Sequence, residues 1–424
     1  MTPAARLQAA IEIIDGLENT TQPADSYVRD WFRSRRYAGV NDRAAVAERV
    51  YTVLRRRASL TWRMGHADGR ALVLASVLAE NLAAGEVERL FSGEGHAPAP
   101  LSDEERRRIA SQPQDKPPAH VLGEYPAWLE PELIRTFGAE LPDEMRAMNA
   151  RASVDLRVNT LRARREDMLV GLRSLGVDAE PTPFSPYGIR IPPGERLGAL
   201  QHTQFFETGA FEFQDEASQL VTQLCGVKPG ERVLDLAAGA GGKALALAAL
   251  MRNQGEILAF DVDPGRLKQL PPRARRAGAT IIRTTDRRSG PAWGTGPFDL
   301  VLVDAPCSGS GTWRRSPELK WRLTPERLRE LTALQSRLLD DGARHTRPGG
   351  RLAYVTCSLL ASENEDICKA LLERSREFRI APAFDAWEKA GLGKPPQGVG
   401  EYFRASPNRT ATDGFFACIM AKSE

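Results

Sequence analysis

The sequence predicts an α/β protein: a Rossmann-like, doubly wound sheet domain preceded by an all-helical domain and a small α+β segment. Three observations carry this prediction. After Gly209 the chain runs strand, glycine-rich turn, helix, strand, acid, helix, the order of an open parallel sheet. Residues 1–110 show almost only helical apolar spacing, as in ARLQAAIEIIDGL and AAVAERVYTVLRRR. Between these regions, strand-like DLRVNT and YGIRIPP alternate with helical stretches.

A chain of 424 residues is long enough for two or three domains, each with its own core. The expected divisions are a helical domain at 1–110, a linker at 111–124, an α+β segment at 125–208 and the sheet domain at 209–424. The linker is read from SQPQDKPPAH, whose three prolines and polar residues interrupt the helical pattern. No apolar run approaches the roughly 18 residues that span a bilayer, which excludes a helical membrane protein. The first residues, MTPAARLQAAIEIIDGLENT, carry acids within their apolar pattern and lack a basic start, unlike a secretory signal. A cytoplasmic location is expected.

Five cysteines at 225, 307, 357, 368 and 418 do not form a disulfide framework, and no paired Cys or His spacing suggests a metal site. Reduced thiols are therefore available for chemistry. The net charge of +3 says little, but residues 31–70 carry ten Arg against three acids. That stretch reads either as a solvated helical face or as a grip on a polyanion.

The sheet domain holds the site. In RVLDLAAGAGGKALALAAL, the strand VLDL leads into Ala237, Ala238, Gly239, Ala240, Gly241 and Gly242, and Lys243 opens the next helix. Glycines there let a ligand approach the backbone at the switch point of the sheet. The next strand ends in Asp261, about 20 residues on, where a carboxylate accepts ribose hydroxyls. ATIIRTTD ends in Asp286, placed for an adenine amino group, and FDLVLVD ends in Asp304. Polar groups at consecutive strand ends describe an S-adenosylmethionine site better than a dinucleotide site. The turn is not a phosphate-binding loop, because Ala244 follows Lys243.

Two strands end in cysteine. VLVDAPCSGSGT places Cys307 three positions after Asp304, and YVTCSLL presents Cys357 in the same way. Either thiol is a candidate nucleophile. Cys225, Cys368 and Cys418 have no polar company and read as packing residues.

DAPCSGSGT, TCSLL with ENE at 363–365, and DGFFACIMAK resemble the RsmB/Nop2/Sun family of RNA cytosine-5 methyltransferases. The resemblance begins near Leu156 with LRVNT and FQDEASQL and runs to the carboxyl terminus. Residues 1–110 resemble the NusB-like domain of the bacterial ribosomal members, which implies an RNA-binding role. The resemblance implies a class I S-adenosylmethionine-dependent methyltransferase acting as a monomer on ribosomal RNA, transfer RNA being the alternative substrate. It assigns the nucleophile to Cys357 and product release to Cys307. Asp304 would hold ring nitrogen 3 and the exocyclic amine, and Lys243 would keep the site electropositive. Arg266 joins the turn, Asp261, Asp286 and Asp304 in the implied cofactor set. The family's usual Ala-Ala-Pro-Gly-Gly-Lys-Thr departs here at Ala240 and Ala244, which implies a looser turn and weaker cofactor binding.

Two thiols suit this chemistry. Carbon 5 of cytosine is a poor nucleophile until a thiolate adds to carbon 6, and the adduct must later lose its carbon 5 proton and expel the sulfur. WRRSPELKWR at 313–322 and RASPNR at 404–409 are expected to grip backbone or stack unpaired bases around a flipped target. An amino-group methyltransferase would need no Cys357, a DNA-type enzyme would use Cys307 as nucleophile, and an idle assembly factor would need neither thiol.

Overall fold

The computed structural model describes residues 1–111, 115–194, 197–286 and 296–424. Its contacts divide into two compact units, one of residues 1–150 with 313–323 and one of 151–312 with 324–424.

The first unit is helical. Its amino-terminal helix, Pro3–Glu18, starts where the Thr2 hydroxyl accepts the Ala5 N–H, and it buries Leu7, Ile11, Ile14 and Leu17. Helix Gly69–Leu78 buries every residue but Arg70, so it forms the centre of the bundle. Asp68 caps it at 3.0 Å. Ser102 and Glu105 form a reciprocal cap at the start of Asp103–Ala110.

The expected linker lies partly outside the described residues, at 112–114. Its later part is structured: Ala119–Gly123 is a short helix, and the Glu124 carboxylate accepts the N–H groups of Ala58 and Ser59. Helices Glu130–Phe137 and Leu141–Met148 also group with the helical unit. Apolar Val121, Leu133 and Met145 are buried there, so the prolines before them punctuate the bundle without ending it.

The segment 313–323 belongs to this unit as well. Trp313 is fully buried, and the Trp321 indole N–H donates to the Leu54 carbonyl at 2.7 Å. Arg322 donates to the carbonyls of Gln22 and Leu17, while Lys320, 1% exposed, donates to Asn149 at 2.8 Å. Burial pushes the Lys320 amine down to about 7 against the pull of Glu124. The expectation of an RNA-stacking platform is thus corrected at Trp313, which is buried, while Lys320, Trp321 and Arg322 are bonded within the helical unit. Much of the basic stretch at 31–70 is also paired internally, Arg33 with Asp30, Arg35 with Glu12, Arg49 with Glu80, Arg57 with Glu18 and Arg70 with Glu105.

The second unit has two sheets. Strands β1 (Val154–Val158), β2 (Glu180–Pro181), β3 (Gly188–Ile191) and β4 (Phe211–Phe213) form an antiparallel sheet in the order β2-β3-β1-β4. The larger sheet contains β5 (Arg232–Asp235), β6 (Glu256–Phe260), β7 (Ile282–Thr285), β8 (Phe298–Asp304), β9 (Thr346–Thr356), β10 (Phe378–Ala381), β11 (Phe403–Ala405) and β12 (Phe415–Lys422). Its order is β10-β12-β9-β8-β5-β6-β7, with β11 paired to β12. The run β9-β8-β5-β6-β7 is parallel. Its central strands read as continuous apolar runs because both faces are covered. Cys225, Cys368 and Cys418 are fully buried in the two cores on either side of it, Cys418 on β12 itself.

Candidate active site

The parallel strands bring their carboxyl ends to one edge, where an open sheet of this kind binds ligands. After β5 the turn is shaped by glycines. Gly239 (φ +55°) and Gly241 (φ +85°) occupy the left-handed region. A Cβ on Gly241 would lie 2.1 Å from a Leu270 methyl, and one on Gly239 would lie 2.6 Å from the Arg266 guanidinium. Arg266 itself is exposed beside the turn. Asp261, just past β6, accepts the Gly239 N–H at 2.7 Å and the Asp263 N–H at 2.8 Å. It therefore fixes the turn from the neighbouring strand. Asp286 is exposed at the end of β7, and the residues that follow it lie outside the described set.

Two arginines, one before the larger sheet and one between β6 and β7, brace the same turn. The Arg157 guanidinium, from LRVNT, donates to the Gly242 carbonyl at 2.7 Å and also to Gln214. Burial lowers Arg157 to about 10. Arg273 donates to the Ala240 carbonyl at 2.7 Å and is held by Glu212. These contacts give LRVNT and FQDEASQL a structural meaning that their sequence did not disclose. Their signal was present only as part of the resemblance.

Lys243 sits at the first turn of the helix after the glycines and donates to Asp304 at 2.7 Å. Burial pulls the ammonium down, but the Asp304 carboxylate and the nearby Cys357 outweigh it, so the amine stays above its ordinary value. Asp235 at the end of β5 is fully buried, and desolvation together with the Asp304 charge pushes its carboxyl up to about 8. Sequence reasoning did not select Asp235, which it read as one residue of a buried strand. Phe415, from DGFF, places its ring 5.5 Å from the Lys243 amine.

The two candidate thiols meet. Cys307 and Cys357 are half-buried, and their sulfurs lie 3.4 Å apart although 50 residues separate them. The contact with Cys357, burial and the charge of Glu363 together raise the Cys307 thiol well above its usual value. The turns are tied by main chain: the Gly311 N–H donates to the Cys357 carbonyl, and the Gly414 N–H to the Gly311 carbonyl. A Cβ on Gly311 would lie 2.0 Å from the Gly414 carbonyl oxygen, which accounts for the glycines in SGSGT and DGFF. In RASPNR, Arg404 pairs with Glu365 and Ala405 to Pro407 are buried. The expected backbone grip by Arg404 is corrected to a tie within the sheet unit. The structure thus brings Lys243, Asp304, Cys307 and Cys357 together, with the turn and Asp261 beside them. Among the described residues, no His, Cys, Asp and Glu cluster could hold a metal ion, and no helix is long and apolar enough to cross a membrane.

Comparison with known proteins agrees with this geometry. The family described as 16S rRNA methyltransferase RsmB/F matches residues 222–421, and the ferredoxin-like domain of RsmF/B-like methyltransferases matches 125–194. A probable ribosomal RNA small subunit methyltransferase B of Bacillus subtilis is 31% identical over 307 residues, covering 70% of this chain and 66% of the relative. The protein of the same description from Synechocystis is 33% identical over 309 residues, covering 71% and 68%. The matched region thus spans about two thirds of these relatives' length. The crystal structure of PH0851 aligns over 100% of this chain and 99% of its own, with a TM-score of 0.77 and 28% identity.

Proposed function

The chain belongs to the RsmB/F family of 16S rRNA methyltransferases, and on that premise we propose that it uses S-adenosylmethionine to methylate carbon 5 of a cytidine in small-subunit ribosomal RNA, with Cys357 as nucleophile. The observation that carries this reading is the 3.4 Å contact between two thiols from different strand ends, beside a Lys243–Asp304 pair. S-adenosylmethionine supplies an electrophilic methyl group. The residues at the strand ends fit it: the opened turn 237–242 admits a ligand to the backbone, and Asp261 has used two of a carboxylate's roughly four acceptor sites, leaving capacity for ribose hydroxyls. Arg266 and Asp286 flank the same edge.

The chain's own work is to switch the base on and off. The Cys357 sulfur, near the Lys243 ammonium, bonds as the thiolate to carbon 6 and makes carbon 5 nucleophilic. Asp304 orients the base edge by accepting from the exocyclic amine, and the Lys243 ammonium paired with it offsets the negative charge that arrives on the ring. In release the carbon 5 proton leaves, its electron pair restores the ring double bond, and the carbon 6–sulfur bond breaks. Cys307 gives its S–H proton to the departing Cys357 sulfur and takes the carbon 5 proton in return. The helical unit is read as an RNA-binding domain, and the protein as a cytoplasmic monomer.

Single substitutions separate the thiols. Cys357→Ala should lose methylation and trap no RNA, whereas Cys307→Ala should accumulate a covalent protein–RNA complex, seen as a slow band on a denaturing gel. Trapping by Cys357→Ala alone would reverse the roles toward the DNA-type order. Full methylation by both variants would point to an amino-group methyltransferase.

A further inference from the structure

Resting on this reading of the two thiols, we propose that Glu363 is a positioning residue for the reaction: it ties the Cys307 turn to the Cys357 turn and reserves one sulfur for attack and the other for release. Glu363 is completely buried. One of its oxygens accepts the Ser308 N–H at 2.8 Å and the Gln335 side-chain N–H at 2.9 Å. The other accepts the hydroxyls of Ser308 and Ser358, each at 2.5 Å. Ser308 follows Cys307 and Ser358 follows Cys357, so a single carboxylate holds the residue after each thiol.

Four contacts occupy the roughly four acceptor sites of a carboxylate, and among the described residues no Lys or Arg pairs with it, so Glu363 is held by neutral groups of the two turns and Gln335 alone. Ser310 extends the network, contacting Ser308 at 3.2 Å and Ser358 at 3.1 Å and accepting the Leu359 N–H at 2.8 Å. The Glu363 carboxylate, bonded to the residue that follows Cys307, opposes ionisation of that thiol, whereas the Lys243–Asp304 pair lies near Cys357. Two chemically identical side chains in contact are thereby made unequal. That asymmetry is what a mechanism with one nucleophile and one proton donor requires.

The role separates into reach and charge. Glu363→Gln keeps the length and loses the charge, whereas Glu363→Asp keeps the charge and cannot span both turns. In the full-length protein without RNA, iodoacetamide alkylation of each cysteine, followed by mass spectrometry from pH 6 to 10, reads the thiols directly. Glu363→Gln should raise Cys307 alkylation at pH 8 several-fold, because the charge that opposes ionisation of that thiol is gone. Glu363→Asp should leave the Cys307 profile near that of the parent but lower the rate of adduct formation with RNA and cofactor. If Glu363→Gln does not fold, Ser308→Ala/Ser358→Ala, which strips both hydroxyl donors, is read for the same loss of adduct formation. Unchanged alkylation profiles and unchanged adduct formation in the folded variants, whatever their melting temperatures, would reduce Glu363 to a structural residue and overturn the proposal. Failure of the nucleophile assignment itself would show separately, as trapping by Cys357→Ala, and leaves the alkylation readout independent.

Discussion

Replacing Asp235 by Asn should stabilise the protein increasingly as the pH rises. The carboxyl is fully buried, and burial with the Asp304 charge raises it from an ordinary 3.8 to about 8. The sign follows from proton counting. Between those values the unfolded chain has released this proton and the folded chain has kept it, so the parent loses stability as pH increases through that window. Each unit corresponds to about 1.36 kcal/mol, so from pH 5 to pH 8 the parent should lose about 4 kcal/mol relative to Asp235→Asn, as an upper bound. Asn has the same shape and does not titrate. Above about pH 8 the difference should level off, because both states of the parent are then ionised. Urea unfolding of both proteins at unit intervals from pH 5 to 9, compared as paired differences, measures the effect. Parallel stability profiles would show that Asp235 is ionised in the fold, stabilised by Lys243, and would refute the reasoning.

Gly241→Ala combines a left-handed backbone with a methyl group placed 2.1 Å from Leu270, and it should cost about 2–5 kcal/mol in urea unfolding and abolish cofactor binding in calorimetry. A folded variant that binds S-adenosylmethionine at parental affinity would remove the turn from the site. Trp321→Phe keeps an aromatic ring but loses the indole N–H bond to the Leu54 carbonyl and some volume, a loss of about 1 kcal/mol or more to the helical unit. Thermal unfolding should show this shift while cofactor affinity stays unchanged, and a fall in affinity would count against that assignment.

The sheet and its catalytic edge were legible because their signals are local. A buried strand, a glycine turn and an acid at the next strand end are each contained in a few residues, and the edge is where parallel strands deliver them. The partners of Glu363 were not legible, since Gln335 and Ser308 reach it across 28 and 55 residues. The misreading of 313–322 has another cause. Tryptophans among Arg and Lys suit stacked bases, but the same amphipathic side chains also suit a socket of main-chain carbonyls, and composition does not separate the two. Pairing within the Arg cluster at 31–70 was hidden for the same reason as at Glu363, because the acidic partners Glu12, Glu18, Glu80 and Glu105 all lie outside that window.

The return of the chain at 313–323 bears on modularity. The polypeptide passes between the two units after Ala150, Thr312 and Leu323, so no single cut detaches the helical unit as a cassette. Trimming at residue 150 would leave Trp321 without the Leu54 carbonyl and Lys320 without Asn149, turning a packed plug into an exposed, sticky loop six residues after Cys307. Grafting the sheet unit onto another helical domain would therefore require either a matching socket or a redesigned loop. The excursion couples inheritance of the two units, so that a lineage exchanging one would have to repair the other.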